Sequence, residues 1–216
     1  QDWVNRYLRG KWGAFAGQIY KNFILEKHVK DVKYNSFTNI KQMMAGVDWG
    51  IRGECCILTI LQTKENHIYV IEEYFEKDRS SHEVAHILSK LHNHYHYTRV
   101  YCDPSAADLI KQAFELGVPV GKMDKENVIH SFANNDVAPG IAKIQSCLKN
   151  DILIINKTCI NLIREFQSYR YQGDSDKPVK EDDHALDAIR YGLTDFEMIN
   201  DEIEFGCVKW LRKRRY

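Results

Sequence analysis

The sequence predicts an α/β fold, a mixed sheet of one antiparallel three-strand meander plus parallel strands, flanked by helices on both faces. Two observations carry this. Three apolar, strand-like runs follow one another between residues 42 and 77 with only short breaks, and from residue 80 onward helical and strand-like patterns alternate. The meander calls for antiparallel neighbours, and the alternation calls for crossovers that put helices on the faces of the sheet.

The first run, QMMAGVDWG, is apolar and closed by a turn. ECCILTILQT and HIYVIEEYFEK follow, separated by the turn-like KEN. SSHEVAHILSKLHNHY reads as a helix whose stripe is Val84, Ile87, Leu88, Leu91 and Tyr95. TRVYCDPS is a fourth strand that ends at Asp103-Pro104, and AADLIKQAFELG is a helix closed by Gly117. VPVGKM is expected as a fifth strand, residues 139–150 as a helix, and DILIINKT as another short strand. CINLIREFQSYRY and DDHALDAIRYGLTDF close the pattern as helices, the second with Leu186, Ile189, Leu193 and Phe196 on its buried side. Residues 1–40 are aromatic-rich, lack periodicity and read as an arm or linker; 41–200 form the domain, and 201–216 a basic tail containing KWLRKRRY.

The chain has 216 residues, 44% of them hydrophobic, which suffices for one large core. Thirty basic residues balance thirty acidic ones, so a nucleic-acid binder relying on bulk charge is excluded and any such role rests on a local site. None of the six cysteines forms a CxxC pair, so a structural zinc site is not expected, and isolated thiols suit a reducing compartment. No apolar run reaches membrane-spanning length and no signal-peptide pattern is present. The expected setting is therefore cytoplasmic, with no membrane partner. The opening residue is Gln1, as expected for part of a longer protein.

One segment invites a different reading. HEVAHILSKLH contains H-E-x-x-H, a zinc-protease signature, and nearly matches its longer form with Ser89 in place of the glycine. At about 100° per residue, His82 and His86 fall opposite the apolar stripe, on the solvent side. His92 lies on neither's face, and the stripe runs through to Tyr95 without the break the long motif needs. A histidine-rich exposed face accounts for this pattern.

The acids are placed more suggestively. Asp48 ends the first strand and Asp103 the fourth, and ligand sites in open α/β sheets lie at strand carboxyl ends. Each alone could be a turn former or a helix cap. Asp187 sits one turn inside the last long helix, beside Asp183 and His184. It is either the partner of Arg190 on a solvated face or the third member of a group with Asp48 and Asp103. Three carboxylates on one site repel unless a cation sits among them. Oxygen ligands suit Mg2+ or Mn2+, and a pair of ions about 3.5–4 Å apart is the general arrangement for phosphodiester hydrolysis.

GVDWG, YCDPS and, most specifically, DDHALDAIRYG resemble the nuclease domain of the large terminase subunit of tailed bacteriophages, within the ribonuclease H-like nucleases. The resemblance spans about 44–196, and GKWGAFAGQIY in the arm is similar to the segment that follows the terminase ATPase domain. No GxxxxGK[ST] loop occurs in the sequence. The resemblance implies that Asp48, Asp103 and Asp187 are metal ligands, that His184 is a further active-site residue near the metals, and that Asp183 is a ligand or merely the helix cap. It implies a metal-dependent endonuclease cutting double-stranded viral DNA in the host cytoplasm, with two Mg2+ or Mn2+ ions. An ATPase domain of the same full-length chain, the portal and the small terminase subunit would be its partners. A junction resolvase or transposase on the same fold is the near alternative. An actin-type ATPase module would need a second glycine-rich phosphate loop, and none follows Asp103.

Overall fold

The computed structural model describes residues 17–50, 53–173 and 175–197. In chain order the elements are α1 (Leu25–His28), β1 (Val29–Lys30), β2 (Ile40–Asp48), β3 (Glu54–Thr63), β4 (Ile68–Lys77), α2 (Ser81–Tyr95), β5 (Arg99–Cys102) and α3 (Ala107–Glu115). There follow β6 (Gly121–Met123), β7 (Ile129–Ser131), α4 (Val137–Lys149), β8 (Leu153–Asn156), α5 (Ile160–Ser168) and α6 (His184–Gly192).

Six strands form one sheet in the order β1-β8-β4-β3-β2-β5. β2, β3 and β4 are the antiparallel meander, with Val47 opposite Ile57 and Leu58 opposite Glu73. β5 joins β2 in parallel, β8 joins β4 in parallel, and β1 extends β8. Strand alternation then divides the core in two. Met43, Ala45 and Val47 pack with Val84, Leu88, Leu109 and Ile110 of α2 and α3. Met44, Leu58 and Ile60 pack on the other face with Ile144, Phe166, Leu186 and Ile189 of α4, α5 and α6. Because both faces are covered, β3 reads as one continuous apolar run rather than an alternating one.

The helices start for identifiable reasons. Ser80 and Glu83 form a reciprocal capping box at the start of α2, and His96 ends that helix in the left-handed conformation. α4 accepts Pro139 in its first turn, where a missing N–H removes no intrahelical bond. No helix of the described residues is long and apolar enough to cross a membrane.

The structure differs from the sequence expectation in three places. Residues 118–123 do not join the main sheet as a strand. Val118 and Val120 are buried, but the ladder-like bond there runs from Val100 N–H to the Pro119 carbonyl, and Pro119 has no N–H to return. The strand starts instead at Gly121 and pairs with β7, which has no apolar run to announce it. Second, residues 17–39 pack as part of the body. Ile19 and Tyr20 are buried in the core, Ile19 N–H donates to the Tyr169 carbonyl at 3.0 Å, and β1 supplies an edge strand. Third, α6 buries far more than its stripe: Ala185, Ala188, Arg190, Tyr191 and Gly192 are buried as well. Residues 1–16 and the basic tail at 201–216 lie outside the described residues.

Candidate active site

Asp48 is the last residue of β2, and Asp103 is the first after β5. The two parallel strands are in register with Val47 beside Cys102, so the two acids occupy the next, adjacent positions; Asp103 N–H also donates to the Val47 carbonyl at 3.2 Å. Val47 and Cys102 face α2 and α3, and alternation turns the following pair toward α6. α6 lies directly over β2. A Cβ at Gly46 would overlap the Ala188 carbonyl oxygen, and Gly192 also lies against the Gly46 backbone. This contact brings the first turn of α6, with His184 and Asp187, over the strand ends.

Each acid of this cluster except Asp103 has a cationic partner. His184 lies between two carboxylates, with Nδ1 2.8 Å from Asp48 Oδ2 and Nε2 3.2 Å from Glu54 Oε2. The hydrogen bond to Asp48, aided by the charges of Asp48 and Glu54, outweighs burial and raises the imidazole pKa to about 9. Asp187 Oδ1 accepts from Arg190 Nη2 at 2.9 Å and from Nε at 3.2 Å. Lys180 Nζ stands 3.7 Å from Asp183 Oδ2 and 3.8 Å from Asp187 Oδ2. Asp103 makes no ion pair among the described residues; its Oδ1 accepts from Ser105 N–H at 2.9 Å, as a turn former does.

Arg190 is 5% exposed. Burial works against its charge, but the adjacent Asp187 holds the guanidinium above its ordinary pKa. Asp187 is therefore paired with Arg190, while its position over the strand ends also sets it beside Asp48 and Asp103. The pair is not the solvated one the sequence offered as the alternative, because it is tucked into the core side of α6. Asp183 occupies the N-cap position, yet its side chain makes no capping bond, and its Oδ2 is buried without a hydrogen-bond partner among the described residues. Burial, reinforced by the charge of Asp187, raises the Asp183 carboxyl above its usual range.

Residues 45–196 match the family described as the terminase RNaseH-like domain. The chain belongs to this family. It is 26% identical over 207 residues to the large terminase subunit of Escherichia phage T5, an alignment covering 89% of this chain and 45% of that protein. The large terminase of a thermophilic bacteriophage, in complex with ADP, superposes with a TM-score of 0.71 at 25% identity, covering 93% of this chain and 50% of the other. The large terminase nuclease of another thermophilic phage, G20c, with bound magnesium, shares the fold, with a TM-score of 0.61 at 9% identity over 84% of this chain and 98% of the other. The chain thus spans about half the length of the T5 large terminase and of the large terminase solved with ADP.

In this terminase domain the donor chemistry suits a hard divalent cation. Asp48, Asp103, Asp183 and Asp187 offer oxygen ligands only, and the Asp183 carboxylate has a buried oxygen with no hydrogen-bond partner among the described residues. Among the described residues, though, no three His, Cys, Asp or Glu side chains already converge as a cage. Asp48 is turned onto His184 and Asp187 onto Arg190. Sequence reasoning missed Glu54 and Lys180. Glu54 opens β3 across from the end of β2, and Lys180 lies in the loop before α6. Only the register between β2 and β3, which puts Asp48 opposite Cys56, could have pointed to Glu54.

The H-E-x-x-H face behaves as its helical geometry predicts. His82 and His86 are exposed, with their Nε2 atoms 3.0 Å apart and no acid or third histidine completing a metal cage with them among the described residues. Glu83 is spent on the capping box and on Arg79. His92 is half-buried, its Nδ1 unpartnered among the described residues, and α2 runs unbroken to Tyr95.

Proposed function

We propose that this domain is a metal-dependent endonuclease that hydrolyses phosphodiester bonds of double-stranded viral DNA during genome packaging. The observation that carries the reading is the convergence of two strand-end acids, Asp48 and Asp103, with the first turn of α6 in a chain of the terminase family. Asp48, Asp103 and Asp187 would hold two Mg2+ or Mn2+ ions, with His184 and then Asp183 as further donors. The large terminase nuclease of phage G20c was solved with bound magnesium, which supports the use of a divalent ion. When bound, the ions would supply an activated water and offset the charge that develops on the departing 3′ oxygen.

The chain's own residues supply position and protonation state. Asp48 and Asp103 project from adjacent strand ends of the sheet, so their separation is set by backbone hydrogen bonds. Arg190 fixes the Asp187 carboxylate through two nitrogens, which limits its rotamers. His184 stands between Asp48 and Glu54, and its imidazole would donate to an ion when neutral and carry a proton when charged. In the full-length protein the domain would work beside an ATPase half, with the portal and small terminase subunit as partners, in the cytoplasm of the infected host. The ADP complex of the longer thermophilic-phage relative supports the ATPase half.

The direct test is cleavage of linear and supercoiled plasmid DNA by the 216-residue chain. Cleavage is expected with Mn2+ or Mg2+ and none in chelator, and Asp48→Ala should be silent. Activity that survives chelation would overturn the metal-dependent mechanism.

A further inference from the structure

α6 carries His184 and Asp187, yet it begins without a cap of its own: Asp183 makes no side-chain capping bond. The first N–H groups of a helix need partners, and a buried start without them is costly. The partner comes from another helix. Glu165 of α5 accepts from the Leu186 N–H through Oε2 at 2.9 Å. α5 likewise lacks a local cap, and Glu73 of β4 serves it, accepting from Asn161 N–H at 3.0 Å and from Leu162 N–H at 2.7 Å. Two glutamates thus link the sheet to α5 and α5 to the helix of the candidate site.

We infer that Glu165 is a positioning residue for the nuclease centre: its carboxyl ties the first turn of α6 to α5 and so sets where His184 and Asp187 stand over the strand ends. A serine or aspartate at the N-cap would satisfy the same N–H but fix nothing relative to the rest of the fold. A glutamate from a neighbouring helix does both. Glu165 is fully buried (0% exposed), and its second oxygen has no hydrogen-bond partner among the described residues, a cost that packing alone does not explain. Burial raises its pKa to about 8, against the pull of the Leu186 and Ala185 N–H groups. Glutamine is consequently a close mimic of the side chain near neutral pH.

The inference rests on the nuclease reading for its Mn2+ and activity arms but not for hydrogen exchange, so the test has three arms, each comparing the parent chain with Glu165→Ala and Glu165→Gln. Amide hydrogen exchange without metal or DNA reads the first turn of α6 directly. Calorimetric titration with Mn2+ alone reads ligand placement, and plasmid cleavage reads kcat and KM. In Glu165→Ala, exchange at 185–187 should accelerate at least about tenfold while α2 is unchanged, and Mn2+ affinity and kcat should each fall about tenfold with KM for DNA held, the range seen when supports of metal ligands are removed. Glu165→Gln should recover all three to within about threefold, since it keeps the acceptor. Parental exchange and Mn2+ affinity in Glu165→Ala would overturn the inference, as would a glutamine variant as impaired as the alanine one. Should Glu165→Ala fail to fold, Glu165→Asp decides, because it withdraws the carboxyl by one methylene; parental protection at Leu186 in that variant would overturn the inference. A parent chain that binds Mn2+ but does not cut DNA counts against the nuclease reading alone, since exchange and Mn2+ affinity still judge Glu165.

Discussion

Two helices of this domain begin with histidines and acids at helical spacing, and only one of them builds a candidate site. Near the start of α2, His82 and His86 meet each other and solvent, and Glu83 closes its own helix end. In the first turn of α6, His184 meets Asp48 and Glu54 from two strands, and Asp187 lies over the same strand ends. Composition does not separate the two regions. What separates them is whether another element delivers partners of opposite charge into a half-buried space. A motif on an exposed helix face is a list of side chains, whereas the same residue types over the end of a sheet share an environment.

The strongest way to break that comparison is to neutralise the α6 side. Asp48→Ala and Asp187→Asn are each expected to lower the DNA cleavage rate by more than about a hundredfold, beyond the losses typical of residues that only support a metal ligand. Asp187→Asn should also cost about 2 kcal/mol, because it leaves the buried Arg190 guanidinium without its counter-charge. That corresponds to a fall in Tm of roughly 4–8 °C for a chain of this size. An Asp187→Asn protein that cuts DNA at the parental rate would reduce the cluster to helix-start chemistry.

Gly46→Ala attacks the packing rather than the charge. The added methyl overlaps backbone, which cannot rotate away, so α6 must lift; a loss of about 2–3 kcal/mol in denaturant unfolding is expected, together with reduced cleavage. His184→Gln sharpens the comparison. It keeps a polar side chain but no titratable ring, and cleavage should drop about tenfold at saturating Mn2+ while the fold is retained. The smallest effect belongs to the other helix: His82→Ala combined with His86→Ala should leave cleavage unchanged and stability within about 0.5 kcal/mol, as for exposed sites without partners. A collapse of activity there would erase the distinction between the two regions.

The meander and the long helices were legible because each carries its own signal in consecutive residues: apolar runs broken by turns, or a stripe at helical spacing. β1 has two residues and β7 three, too short for any pattern, and their pairing depends on neighbours far away in the chain. VPVGKM reads as a strand from its valines, and these are buried, but they are tied to β5 by a single bond to the Pro119 carbonyl and the ladder starts only at Gly121. In the site, Asp48, Asp103, His184 and Asp187 could be named because strand ends and helix starts are visible in sequence. Glu54, Lys180 and Glu165 could not, since each acts across a gap that only the fold closes. Arg190 was visible at i+3 from Asp187, but its burial was not, because the near-complete enclosure of α6 follows from a strand, β2, that is distant in sequence.

The contact of Gly46 with Ala188 has a further consequence. Most helices rest on a sheet through side chains, a compliant cushion whose thickness drifts as core residues are exchanged. Here backbone meets backbone, so the cushion is missing and the gap has a hard stop. Substitutions elsewhere in that half of the core can loosen or tighten the domain as a whole while the helix keeps the same standoff from β2. The standoff of α6 from β2 is therefore set by two glycines, which leaves Glu165 to fix its first turn and releases the apolar residues around them to vary.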